Sequence, residues 1–289
     1  MKKSLGSLLA AFAVVFGALL FAGVWAGVAH AAGGPAGQPH PWQLGLQDGV
    51  TAIKDEIHSF HNLLLVIITA ITILVMILLI YVMARYSAKS NPVPSRTSHN
   101  SLVEVVWTLV PVLILVGLAV PSLKLLYFEE RLPPGEMLTI KAIGNQWYWS
   151  YEYPDHGNFS FDATMIADKD LQPGQLRLLE TENHVVLPVN TNIRVQITAA
   201  DVLHAWTVPA FGVKKDAVPG RLNEIWFNAR QEGTYYGQCS ELCGSLHGFM
   251  PIKVEIVSKA KFEQWVGEAK KKFAAADAPA VTLAAQSAR

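Results

Sequence analysis

The stretch Gly233-Thr-Tyr-Tyr-Gly-Gln-Cys239-Ser-Glu241-Leu-Cys243-Gly-Ser-Leu-His247-Gly-Phe-Met250 holds the only two cysteines of the chain, four residues apart. A histidine follows four residues later and a methionine three after that. Thiolate, imidazole and thioether are soft ligands that suit copper, and a His/Cys set with a weak Met marks copper electron-transfer sites. Such a site needs a second histidine, and Asp201-Val-Leu-His204-Ala-Trp206 supplies one upstream. The candidate ligands are therefore His204, Cys239, Cys243, His247 and Met250.

Other uses of these residues are weaker. A disulfide between Cys239 and Cys243 suits a domain outside the cytoplasm but leaves the His and Met without a role. Zinc tolerates the Cys-x3-Cys-x3-His spacing, yet structural zinc favours a closed set of Cys and His and rarely takes Met. A mononuclear copper loop needs one Cys. The second thiolate lets two copper ions share a pair of bridging sulfurs, so that one unpaired electron spreads over both metals and little has to move when it arrives.

Around the loop the pattern is β. Segments 137–143, 176–179, 184–188, 192–198, 224–228 and 250–257 are short, rich in β-branched residues and separated by turn residues. Many short strands at regular spacing predict a β-sandwich or Greek-key barrel, with metal ligands on loops at one end. The run Trp147-Tyr-Trp149-Ser-Tyr151-Glu-Tyr153 alternates, which places its odd-numbered aromatics on one strand face. After the last strand, Phe262, Trp265, Val266, Ala269 and Phe273 recur at three- and four-residue steps and predict an amphipathic helix, followed by an Ala-rich tail to residue 289.

Towards the N-terminus the chain becomes a membrane protein. Residues 63–84 carry no charge and are long enough to span the hydrocarbon core as a helix; residues 102–123 form a second span, with one carboxylate, Glu104, and an internal Pro111 expected to kink it. The loop between them contains Arg85, Lys89 and Arg96 and no acid, so the hairpin turns in the cytoplasm and both ends face outward. Residues 1–32 combine Lys2-Lys3, an apolar run and a small-x-small site, the pattern of a secretory signal peptide, and 33–62 reads as an extracytoplasmic leader opening on a flexible Gly/Pro segment. The remaining regions are the hairpin at 63–130, the β domain at 131–258 and the helix and tail at 259–289. Formal charge is zero, with 51% hydrophobic and 16% charged residues, which gives no nucleic-acid signal and agrees with a bilayer.

Cys-Ser-Glu-Leu-Cys-Gly-x-x-His-x-x-Met, preceded by Asp-Val-Leu-His-Ala-Trp, resembles the CuA site of the cytochrome c oxidase subunit II family. The likeness extends over Gly144-Asn-Gln-Trp147-Tyr-Trp149-Ser-Tyr151-Glu-Tyr153 and Lys215-Asp-Ala-Val-Pro-Gly-Arg221, and covers most of residues 55–258. It implies a membrane-anchored all-β architecture, a two-helix transmembrane hairpin followed by a cupredoxin-like Greek-key barrel. It implies a dinuclear copper centre that accepts electrons from cytochrome c on the periplasmic side of the bacterial cytoplasmic membrane, with both termini on that side. The electrons then pass to haem in subunit I, where oxygen is reduced to water and protons are translocated; subunit III is a further expected partner.

The resemblance also assigns single residues. Trp147 would lie over the copper site and receive the electron, with Trp149 left to packing. Glu104, three residues before Trp107, would mark the mouth of a proton path. Glu241 would offer its backbone carbonyl to copper and its carboxylate to a magnesium or manganese ion shared with subunit I, since oxygen donors suit such hard ions. Glu152, Asp155, Glu182 and Asp201, singly no more than solvated acids, would together steer basic cytochrome c. A quinol oxidase subunit would lack the copper ligands. A free copper carrier would have no use for Glu104 or Glu241, a disulfide-stapled binding module would bind no copper, and nitrous oxide reductase would need room for a propeller domain.

Overall fold

The computed structural model describes residues 37–273. The signal peptide expected at 1–32 and the tail expected beyond Phe273 lie outside the described residues. Two helices open the described chain: α1, Ala52–Arg85, and α2, Ser101–Glu130, both long and apolar enough to cross a membrane. The second runs through Pro111 and Pro121. It starts where sequence chemistry puts a cap: Asn100 Oδ1 accepts the Val103 N–H at 3.2 Å, and the Glu104 carboxylate accepts the Asn100 N–H at 3.1 Å. Glu104 thus closes a helix terminus whatever else it does.

The first helix begins well before the expected start at residue 63, inside what the sequence read as leader. Thr51 explains this. Its hydroxyl accepts the Lys54 N–H at 3.1 Å as an N-cap and donates to the Phe211 carbonyl at 2.7 Å. Val50 and Ile53 are buried, and the Val50 N–H donates to the Ala210 carbonyl at 3.2 Å. Gly37, at φ +90°, accepts the Tyr236 N–H at 3.1 Å. Of the described residues, 37–39 and 47–55 therefore belong to the β unit with residues 129–273, while 40–46 and 56–128 belong to the helical unit.

The β unit contains β1 (Leu138–Asn145), β2 (Tyr148–Tyr153), β3 (Phe159–Ala163), β4 (Val185–Pro188), β5 (Ile193–Ala199), β6 (His204–Val208), β7 (Val213–Ala217), β8 (Asn223–Phe227), β9 (Gly233–Gln238) and β10 (Pro251–Val257). One sheet has the order β3-β2-β1-β5-β8, a second the order β4-β10-β9, and β6 pairs with β7. Within these sheets β1 runs parallel to β5 and β10 parallel to β4, so crossovers join non-consecutive strands, as a cupredoxin-like two-sheet barrel requires. Alternation holds in β2: Trp149, Tyr151 and Tyr153 are buried, and the two tyrosine hydroxyls are satisfied inside, where Tyr151 Oη accepts from Trp206 Nε1 at 3.1 Å and Tyr153 Oη bonds Val186. The amphipathic segment forms α3, Lys259–Phe273, which buries Phe262, Val266 and Ala269 and stacks Phe273 on Phe161 at 4.9 Å.

One expected strand is absent. Residues 176–179 form a turn, with Leu178 at φ +66° and the Leu179 N–H donating to the Leu176 carbonyl. Gly174, at φ +91°, bends the chain ahead of it, and Glu180 accepts the Leu176 N–H at 3.4 Å. The same Glu180 is buried, and its carboxylate accepts from Lys253 Nζ at 2.6 Å and from the Tyr236 hydroxyl at 2.7 Å. Burial pushes the Glu180 carboxyl up, but these hydrogen bonds and the Lys253 charge hold it below its ordinary value. A depressed carboxyl stabilises the fold above its unfolded pKa, and that contribution is lost as pH falls through the folded value. Glu180→Gln should cost about 3 kcal/mol or more at pH 7 by stranding the Lys253 charge. The gap to wild type should narrow as pH drops below about 4, which urea unfolding at the two pH values measures.

Candidate metal centre

The strands β9 and β10 pair in antiparallel register up to Gln238 opposite Pro251, and the Cys239 N–H reaching the Met250 carbonyl at 3.4 Å carries the pairing one step further. The 239–250 loop therefore leaves and returns at one place. The Ser240 N–H donates to the Ala205 carbonyl at 3.0 Å, which ties the loop to β6, whose first residue is His204. This brings together residues distant in sequence. His204, Cys239 and Cys243 offer ligand atoms within 4.8 Å of one another, all buried.

The rest of the predicted set converges on the same point. Cys239 Sγ lies 3.8 Å from Cys243 Sγ and 3.8 Å from His204 Nδ1, and 3.3 Å from the Glu241 carbonyl oxygen. Cys243 Sγ lies 3.6 Å from His247 Nδ1 and 3.6 Å from Met250 Sδ. A disulfide holds its sulfurs at about 2.05 Å; here both thiols are free. Two thiolates, two imidazoles, a thioether and a carbonyl are the donors that copper takes, and they fit a copper pair better than zinc, for which the thioether has no place.

Proton chemistry agrees. Burial pushes the Cys239 thiol up, but hydrogen bonds from His204 and the neighbouring backbone hold it well below the usual thiol value. Burial and then the adjacent Cys239 charge push Cys243 up.

Aromatic and polar neighbours fix the ligands. Asp201 Oδ1 lies 2.9 Å from His204 Nε2, which leaves Nδ1 turned to Cys239, the familiar carboxylate–histidine arrangement of metal sites. Trp149 is buried beside the same ring, with centroids 5.9 Å apart, as packing requires. Trp147 is half-buried in the β1–β2 turn, and its Nε1 donates to the Cys243 carbonyl at 3.3 Å. Among the acids, Glu152 pairs with Lys141 at 3.1 Å, Asp155 accepts the Thr139 N–H at 2.7 Å, and Glu182 accepts the Thr164 hydroxyl at 2.8 Å.

Sequence reasoning missed Gly144 and Gln146 as functional residues. A Cβ on Gly144 would stand 2.7 Å from the His204 ring, so only glycine lets the imidazole lie on β1. Asp216 and Arg221, unassigned from sequence, line a cavity of about 410 Å³ with Lys214, Lys215, Val218 and Asn223.

Comparison with known proteins decides the family. The family model described as "Cytochrome C oxidase subunit II, periplasmic domain" matches residues 138–257, and that of the "transmembrane domain" matches 39–125. A probable cytochrome c oxidase subunit 2 of Rickettsia bellii is 50% identical over 236 residues, covering 82% of this chain and 87% of its own. The chain belongs to the cytochrome c oxidase subunit II family. Cytochrome c oxidase subunit 2 of Arabidopsis thaliana is 46% identical, over 80% of this chain and 91% of its own. A crystal structure of the periplasmic domain of the subunit II of Bradyrhizobium japonicum is 58% identical, covers 50% of this chain and 99% of that one, and superposes with a TM-score of 0.46. Family membership makes this chain a two-span membrane subunit of a cytochrome c oxidase complex. Within the site, Gly144→Ala should push the His204 ring away and weaken copper binding about ten- to a hundred-fold, read by competition with a copper chelator while far-ultraviolet circular dichroism stays unchanged.

Proposed function

We propose that this chain is the electron-accepting subunit of a cytochrome c oxidase, with Trp147 as the point where the electron from cytochrome c arrives. The observation that carries this is the convergence of His204, Cys239, Cys243, His247, Met250 and the Glu241 carbonyl at one end of the barrel. A copper pair bound there supplies one-electron chemistry with little reorganisation.

The residues of the chain do the rest. Burial of both thiols and of His204 excludes water from the donors. Trp147 puts an indole edge at the surface and its Nε1 on the Cys243 carbonyl, so a π-system and one hydrogen bond join the outside to a ligand residue. Glu241, half-buried, turns its carbonyl to Cys239 and keeps its carboxylate as the oxygen donor for a magnesium or manganese ion shared with subunit I. Glu152, Asp155, Glu182 and Asp201 supply negative charge for a basic cytochrome c.

Charge also orients the subunit. Arg85, Lys89 and Arg96 between the spans keep the hairpin turn in the bacterial cytoplasm and put the β unit in the periplasm. Glu104 at the start of α2 then faces the cytoplasmic side, where a proton path into subunit I would open. Subunit III completes the set of partners.

Metal analysis with electron paramagnetic resonance tests the reading. Two coppers per chain, with one unpaired electron coupled equally to both nuclei, is the expected result; a single copper with an electron on one nucleus would favour a mononuclear carrier, and none would exclude the site. Trp147→Phe should retain the copper spectrum yet lower turnover at saturating cytochrome c by about ten-fold, a barrier rise of about 1.4 kcal/mol. The cytochrome c KM should rise with salt as the Debye length falls from about 10 Å at 0.1 M.

A further inference from the structure

Asp201, between β5 and β6, and Gln146, in the β1–β2 turn, make bonds that docking alone does not explain. The Asp201 carboxylate is engaged inward: Oδ1 takes the His204 imidazole at 2.9 Å and the Val202 N–H at 2.6 Å, while Oδ2 takes the Gln146 N–H at 2.6 Å. Gln146 continues the chain of bonds. Its Nε2 donates to the Cys243 carbonyl at 2.8 Å, the same oxygen that accepts from Trp147 Nε1. Gly244 makes the closeness feasible, since a Cβ there would come within 3.0 Å of the Trp147 ring and 3.1 Å of Gln146 Nε2, and its φ of +123° suits glycine.

We propose that Asp201 and Gln146 are positioning residues, a bracket that joins His204 to the turn carrying Trp147 and holds that turn on the Cys243 carbonyl. The inference rests on the reading of the site as a copper centre reached through Trp147. Asp201 sets the ring orientation of His204, and Gln146 sets the distance from the indole to the copper loop. One carboxylate thereby couples the geometry of a metal ligand to that of the electron-accepting side chain. Its charge still attracts a basic partner at long range, but its lone pairs are already occupied by three donors within the subunit.

The purified oxidase complex, with reduced basic cytochrome c as donor, tests the bracket. Asp201→Asn places an amide N–H2 against either His204 or the Gln146 N–H, so the copper resonance spectrum and midpoint potential should shift and turnover at saturating donor should fall about ten-fold or more. Gln146→Glu keeps the size but loses the donor to Cys243. It should leave copper stoichiometry intact and lower turnover at saturating donor, although its added negative charge does not raise the KM. The proposal is overturned if Asp201→Asn leaves spectrum and potential unchanged and raises only a KM whose difference from wild type vanishes at high salt, the behaviour of a docking acid. Wild-type turnover in Gln146→Glu overturns the Trp147 arm. A wild-type complex without the dinuclear copper signal removes the reading on which the bracket rests, and the bracket with it.

Discussion

Two free thiols stand 3.8 Å apart in a buried loop, and that juxtaposition governs the surrounding structure. Buried sulfur cannot carry two negative charges side by side without a cation, and the ionised Cys239 raises the cost of ionising Cys243. The loop must therefore hold its donors in place before a metal arrives. The surrounding strands meet this need. Paired β9 and β10 fix both ends of the loop, β6 delivers His204 and bonds Ser240, and β1 lies against the imidazole through a glycine. Close approach recurs at Gly237, where any Cβ would run into the Thr207 carbonyl, so β9 lies directly against the backbone of β6. Small residues at these contacts let β1, β6 and β9 bring ligands from distant parts of the chain within a few ångströms.

What the sequence shows of this site follows from where the chemistry is local. Cys239, Cys243, His247 and Met250 share one loop, so their spacing alone carries the donor set. Gln146 contacts a residue 97 positions away and Asp201 one 55 positions away, and no local pattern encodes such pairs. The strands divide in the same way. Alternating β2, β5 and β10 bury one face and read easily. In β9, Tyr235, Tyr236 and Gly237 are buried in succession, so the period of two is lost; in β7 the exposed Lys214 and Asp216 flank a half-buried Lys215, which reads as a loop. The turn at 176–179 has the opposite problem, since its leucines imitate a strand while Gly174 and Leu178 at positive φ break it.

The boundary of the first span shows a related limit. Hydropathy locates the apolar run but not the point where a helix starts, which is set by hydrogen bonds. Thr51 caps α1 and at the same time donates to Phe211, so one hydroxyl serves both a helix terminus and the barrel core. Asp55 extends the join through its ion pair with Arg230 at 2.6 Å. The first turn of α1 is thus part of the β unit, and the leader before it packs on β9 through Gly37.

The acids assigned to docking are not equivalent, and their local bonds separate them. Glu152 lies 3.1 Å from Lys141, so the pair presents little net field to an approaching partner. Asp155 and Glu182 accept from neutral donors, a backbone N–H and a hydroxyl, and both remain exposed. Asp201 sits beside an imidazole that is neutral when it ligates a metal and therefore also keeps its charge in the loaded site. Long-range attraction depends on net charge, whereas contact specificity depends on free lone pairs. In the proposed docking of a basic partner, Asp155 and Glu182 would then serve both steering and contact, Asp201 would add field but few free acceptors, and Glu152 would add little while paired with Lys141.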